Sequence, residues 1–259
     1  MDRSPLTARV RESNRQARAA GSRWAPHRAR VMEVLRGVPA GGSVALLGAG
    51  HLYDVELDEL AIRYERVALV DLDGETVRAA VERHPAAKAR CTVHAPVDLT
   101  VGLGQLATHR CGVPGEPFDL TVSLGVLTQL MQAVTDAGVA PEEVPRVSLA
   151  VRDKHLRDLV HLTRPGGVLV LVTDFVSTRS APGLAHLPPD ELEPALARLV
   201  AAGNFFTGTN PYRIAALLEE TEPFSRHIAQ ARFHGPWLWA ITPDREHLAG
   251  AIVAERRPR

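Results

Sequence analysis

Five mostly apolar residues, Ser43-Val44-Ala45-Leu46-Leu47, stand between Gly41-Gly42 and a second glycine pair in Gly48-Ala49-Gly50. So short an apolar run, without alternation, suits a strand buried on both faces, which is the mark of a parallel sheet. Parallel strands need a crossover between them, and the chain supplies one each time. A helix is expected over 55–64, a second strand over 66–71, and a helix over 74–84 with Val77, Ala80 and Val81 at helical spacing. A third strand follows near 91–95 and ends before Asp98, a fourth covers 118–123, and a helix over 151–162 leads through Arg164-Pro165-Gly166-Gly167 into a fifth strand over 168–173. This alternation implies the α/β class with a doubly wound, mostly parallel sheet.

After Phe175 the pattern changes. Residues 176–212 carry turn formers, a short helix over 189–202 and the aromatic stretch from Asn204 to Tyr212; a helix over 213–220 comes next. Two strand-like runs, 225–233 and 247–254, then complete seven strands as a hairpin on the sheet edge, the last one antiparallel. Trp237 and Trp239 lie between these runs and are expected on opposite sides, serving packing. Ahead of the first strand, residues 1–40 form a helical cover: 15–35 reads as helix, interrupted near Pro26, with Trp24, Val31, Val34 and Leu35 on one side. Eight arginines in the first 30 residues also fit a transit peptide or a nucleic-acid arm, but neither runs readily into a packed helix. The body is 41–259, with segments 131–150 and 176–212 as a roof.

Composition narrows the partners. Thirty basic against 30 acidic residues leave no global field for a polyanion, so a small-molecule substrate is expected and no nucleic acid. No run of 18 apolar residues suggests a membrane span, and Cys91 and Cys111 have no metal-type spacing, so a reduced cytoplasmic setting is the expectation. Eleven histidines without a His-x-x-x-His pair give no metal site. The oligomeric state is left open.

A strand that ends in Gly-x-Gly and opens a helix presents free backbone N–H groups and a positive helix end to a ligand. A dinucleotide fingerprint would need a further glycine at Tyr53. Asp71, 23 residues after Gly48 at the end of the second strand, is placed to accept ribose hydroxyls, or else to cap the following helix.

The ordered set of Val44 to Gly50, Val67-Ala68-Leu69-Val70-Asp71, Asp98-Leu99, Phe118 to Ser123 and Leu162-Thr163-Arg164-Pro165-Gly166-Gly167 resembles the class I S-adenosylmethionine-dependent methyltransferases. The resemblance covers roughly 44–173. It implies a Rossmann-like domain, S-adenosylmethionine as cofactor, and cofactor contacts from Gly48, Ala49, Gly50, Asp71, Leu72, Asp98, Leu99, Ser123 and Leu124. The chain departs from the family in having Leu46 in place of an acid and Leu52 in place of a third glycine; His51, Tyr53 and Asp54 stand nearby as substitutes. Methyl transfer needs an aligned nucleophile, and a base where that nucleophile arrives protonated. Asp174, at the end of the fifth strand, and His51, in the glycine loop, are the candidate catalytic residues; Trp24, Tyr53, Phe206 and Tyr212 are candidates for the substrate wall. The implied activity is methylation of an oxygen or nitrogen of a small molecule, as in specialised metabolism; the alternatives are a non-methylating role on the same fold, such as cyclisation, rearrangement or ligand binding, or RNA methylation. Asn210-Pro211-Tyr212 follows the fifth strand, the wrong place for a nucleobase motif.

Overall fold

The computed structural model describes residues 12, 14–15, 17–18, 21–99, 111–242 and 244–258. The arginine-rich start of the chain before residue 12 lies outside them. Strands β1 (Gly41–Leu47), β2 (Tyr64–Val70), β3 (Cys91–His94), β4 (Phe118–Leu124), β5 (Thr163–Ser177), β6 (Ile228–Thr242) and β7 (Arg245–Arg256) form one sheet in the order β3-β2-β1-β4-β5-β7-β6. The first five pair in parallel; β7 inserts antiparallel between β5 and β6. The reversal in strand order lies between β1 and β4, and it opens the ligand crevice of a doubly wound sheet.

Helices cover both faces. On one, α1 (Ala25–Arg36), α2 (Leu57–Arg63), α3 (Gly74–Val81) and α4 (Pro85–Lys88) pack over Val44, Leu46, Leu69, Val122 and Val172. On the other, α5 (Val126–Asp136), α6 (Val144–Leu162) and α8 (Pro211–Glu220) cover Ala45, Leu47, Val70, Leu171 and Ile252. Strand residues thus alternate between two apolar layers, as a sheet buried on both sides requires. The helical cover changes to a 3₁₀ turn over Gly21–Trp24 just ahead of Pro26, which stands in the first turn of α1, where no N–H partner is needed. His27, Val31, Met32 and Leu35 form the buried stripe of α1.

The roof segments are more regular than loops. α5 continues to Asp136 and α6 begins at Val144, so 131–150 is largely a helix pair. Within 176–212, α7 (Leu192–Ala201) and short 3₁₀ turns close a satellite core of Phe175, Val176, Leu184, Leu196 and Leu248. Asn210 is the N-cap of α8, accepting the amides of Tyr212 and Arg213, and Pro211 is its first residue. The two tryptophans correct the expectation from sequence. They lie inside β6, and residues two apart on a strand share a face, so both indoles enter the same apolar layer.

The end of the sheet opposite the crevice is tied by Asp119. Its Oδ2 accepts from the Ser43 N–H at 2.8 Å and the Ser43 hydroxyl at 2.9 Å, and its Oδ1 accepts from Arg164 Nε at 2.5 Å. Desolvation alone would raise this carboxyl, but the Arg164 and Ser43 bonds outweigh it and hold the group below its ordinary value. A depressed folded value stabilises the protein above the unfolded value and is lost as pH falls through the folded one. Asp119→Ala is expected to cost about 1–3 kcal/mol at neutral pH in denaturant titration. The gap from the parent should close below roughly pH 4, in the ordinary aspartate range.

Candidate functional site

The glycine turn is closed tightly against the end of β4. Gly48 has φ +75°, and a Cβ there would fall 2.6 Å from Val126 Cγ2 and 2.8 Å from the Leu124 carbonyl. Leu52, with φ +60°, is the only non-glycine with positive φ among the described residues. It keeps a left-handed turn that favours glycine, while its side chain is buried in the core. Leu46 points into the same core and is fully buried.

Asp71 braces this turn. Its Oδ2 accepts from the Gly50 N–H and its Oδ1 from the Asp73 N–H, both at 2.8 Å. Burial raises the carboxyl above its ordinary value despite these amides. The helix cap is Asp73, not Asp71: Asp73 accepts from Thr76 N at 3.3 Å and Thr76 Oγ1 at 2.7 Å. Asp98 and Leu99 are half-buried alongside, where Val97 N–H donates to the Asp71 carbonyl at 2.9 Å. Ser123 turns its hydroxyl away to His155 Nε2 at 2.8 Å, so it offers the crevice only backbone. Burial holds His155 down at about 4, which keeps it neutral at physiological pH.

The N-terminal cover reaches this turn through Asn14, which donates from Nδ2 to Asp73 Oδ2 at 3.1 Å and accepts from His51 Nε2 at its carbonyl at 2.9 Å. His51 Nδ1 is buried without a partner among the described residues. Burial lowers the His51 pKa. The ring stacks on Tyr53, with centroids 5.0 Å apart.

A cavity of about 590 Å³ opens beside the turn at the carboxyl ends of β4 and β5. Its floor carries a relay the sequence did not reveal. Asp174 Oδ1 accepts from Thr128 Oγ1 at 2.6 Å, and Oδ2 accepts from His247 Nδ1 at 2.5 Å. Both carboxylate oxygens are engaged, and Asp174 is 3% exposed. His247 Nε2 is buried and has no partner among the described residues. His247 lines the cavity, and its Nε2 is the ring nitrogen that Asp174 does not engage. No local signal marks it: the two residues are 73 apart in sequence and meet because β7 pairs with β5. A register shift between Asp174 and Val176 bends β5 at this point, as bulges do where a side chain is re-aimed.

Of the four expected substrate contacts, Trp24 and Phe206 line the cavity. Tyr53 and Tyr212 lie outside this lining. Tyr53 lies on the glycine-turn side with Trp24 packed edge-on against it at 6.1 Å. Tyr212 is 38% exposed and packs edge-on against Phe233. His51 also lies outside the cavity lining, on the turn. Residues of both roof segments, among them Met131, Ser148, Phe206 and Thr207, do line it.

One wall is fixed by a second histidine. Trp237 Nε1 donates to His27 Nδ1 at 2.9 Å, so His27 must carry its proton on Nε2, which donates to Asp54 Oδ1 at 3.0 Å. The His27 ring stacks on Trp239 at 4.2 Å, and Trp24 meets Trp239 edge-on at 4.9 Å. Of the two cavity tryptophans, the sequence marks Trp24 as a wall residue and Trp239 as packing, and it does not mark His27, which holds Trp237, stacks on Trp239 and pins α1 to the sheet edge.

No family model matches the chain, and no curated protein matches it. Solved structures do. A candidate O-methyltransferase from Nostoc punctiforme superposes with TM-score 0.52 at 15% identity, over 94% of this chain and 59% of its own. An O-methyltransferase family protein from Burkholderia thailandensis gives 0.49 at 16% identity, over 100% and 63%. A SAM-dependent methyltransferase from Methanosarcina mazei gives 0.49 at 14%, over 88% and 98%. The chain thus spans less than two thirds of the first two. With its strand order, the first likeness establishes the class I methyltransferase fold.

Trp237→Phe removes the donor to His27 Nδ1 and leaves a buried nitrogen unpaired. It is expected to lower stability by about 1–3 kcal/mol in denaturant titration, with little loss of apolar burial. An unchanged midpoint would show that the bond contributes nothing.

Proposed function

We propose that this chain is an S-adenosylmethionine-dependent O-methyltransferase acting on a small hydroxylated molecule, with His247 as general base. The observation that carries the reading is the His247 Nε2 lone pair, buried and unpartnered at the cavity, on a ring held by Asp174 and Thr128. A hydroxyl nucleophile arrives protonated and needs such an acceptor, whereas an amine attacks with its own lone pair; this favours oxygen over nitrogen.

The crevice residues fit the cofactor. Asp71 is a buried carboxylate served by two backbone amides, with lone pairs left for hydroxyl donors such as those of a ribose. The Gly48-Ala49-Gly50 turn and the Ser123-Leu124 backbone border it, with Leu72, Asp98 and Leu99 on the adjoining strand ends. Bound there, S-adenosylmethionine would supply a methyl carbon made electrophilic by its sulfonium, the C–S electron pair staying with sulfur as the new O–C bond forms.

The chain's own residues do the rest. His247 Nε2 takes the hydroxyl proton as the oxygen attacks. Asp174 keeps the proton on Nδ1 and stabilises the imidazolium that results. Thr128 holds Asp174 in place, and Trp24, Trp239 and Phe206 exclude water. The balanced outcome is a methylated oxygen, a neutral thioether and one proton on His247, which passes to solvent after the turnover. Leu46 is the observation that favours a second reading, ligand binding without transfer, because no acid stands there for the methionine ammonium group.

Calorimetry with S-adenosylhomocysteine tests the crevice: Asp71→Ala is expected to weaken binding by about 1.5–3 kcal/mol. His247→Ala should lower kcat about 10²–10⁴-fold while cofactor affinity stays at the parent value. A parent protein that binds the cofactor tightly yet methylates no hydroxylated acceptor would favour the second reading.

A further inference from the structure

Three residues of the cavity wall carry hydrogen-bond donors that have no partner among the described residues. Arg245 Nε, Trp24 Nε1 and Trp239 Nε1 are buried without a partner among the described residues, and all three residues line the cavity. Buried donors are rarely left unpaired in a folded protein, and these three belong to residues that line one cavity, where a ligand would bring acceptors. Among the acids nearby, Asp174 serves Thr128 and His247, Glu12 pairs with Arg15, and Asp244 accepts from Thr242 Oγ1 at 2.8 Å while lying within the field of Arg179 and Arg245.

The positions of these groups define the ligand further. Arg245 and His247 are two residues apart on β7, so their side chains leave the same face of the sheet about 6–7 Å apart at the backbone. In register, Trp239 lies directly across from His247 and Thr242 across from Arg245. One face of the Trp239 indole is taken by His27, and Phe206 stands 5.5 Å from the His247 ring. The space therefore has flat aromatic walls, a cation toward one end and a proton acceptor beside it. A guanidinium is suited to a carboxylate, and aromatic walls are suited to a flat ring.

We propose that the substrate is an aromatic hydroxy-acid, its carboxylate held by Arg245 and its hydroxyl facing His247 Nε2. Treating that hydroxyl as the methyl acceptor rests on the function proposed above; the carboxylate contact does not.

The probes are 3- and 4-hydroxybenzoate, 4-hydroxycinnamate and the methyl ester of each, with binding read by indole fluorescence and calorimetry and methyl transfer read separately by product mass. The acids are expected to bind roughly ten- to hundred-fold more tightly than their esters. Arg245→Gln should erase that preference without weakening ester binding. Equal binding of acids and esters by the parent, or a preference that survives in Arg245→Gln, overturns the proposal even if an ester is methylated. An Arg245-dependent preference for acids with no methylated product would instead sink the transfer reading and leave the carboxylate site standing. Circular dichroism checks the fold of Arg245→Gln. If that variant does not fold, Arg245→Lys, which keeps the charge but loses the fork, should retain only part of the preference; full retention counts against the site.

Discussion

The antiparallel pairing of β7 between β5 and β6 is the constraint on which the cavity depends. Register decides which residues of β7 face which layer, and a shift by one would send every one of them to the opposite face. In the observed register Val170 pairs with Val253 and Leu171 with Ile252, so the buried pairs fix the slide of the strand. The consequence appears at its other end, where His247 meets Asp174 and Arg245 emerges two residues before it. Burial of apolar residues deep in the sheet thus positions a polar relay at its rim, on a rigid element rather than a loop.

Much of the fold was legible because its physical causes are local. Short apolar runs between glycines gave five parallel strands, since each is buried on both faces and leaves the same trace in the sequence. The bounds of β5 were not legible. Pro165-Gly166-Gly167 reads as a turn before a strand, yet β5 extends back past it to Thr163: the pairing with β4 skips from Thr163 to Val168 across these residues, and a Cβ at Gly167 would fall 2.7 Å from the Asp119 carbonyl, an approach that glycine permits. Trp237 and Trp239 fall between two strand-like runs in the sequence, so their shared face is visible only once β6 is seen to run through them.

The crevice and the cavity differ in the same way. Gly48, Gly50 and Asp71 fall at strand ends that sequence pattern locates directly. The cavity relay joins Thr128 on α5, Asp174 on β5 and His247 on β7, and nothing but the tertiary fold brings these together. A lone histidine near a predicted strand is most often a packed or surface residue, so His247 carried no signal until its neighbours were known. His27 was hidden for a related reason, since its partners Asp54 and Trp237 come from opposite ends of the chain.

Leu46 and Leu52 show how far a motif's backbone can be separated from its side chains. At Leu46 a strand residue faces the apolar layer beneath α1, where an unpaired acid would be costly to bury, so a leucine there supports the core. At Leu52 the left-handed conformation costs about 1–2 kcal/mol relative to ordinary backbone, while full burial of a leucine side chain contributes about 1.5–3 kcal/mol. The two nearly cancel or favour leucine, so the turn keeps its glycine-like shape without a glycine. The turn is then held by Asp71 from one side and by Val126 and the Leu124 carbonyl from the other. Ligand-binding geometry at such a site follows from these braces more than from the identity of residues 46 and 52, which explains how a departing motif can sit on an unaltered strand order.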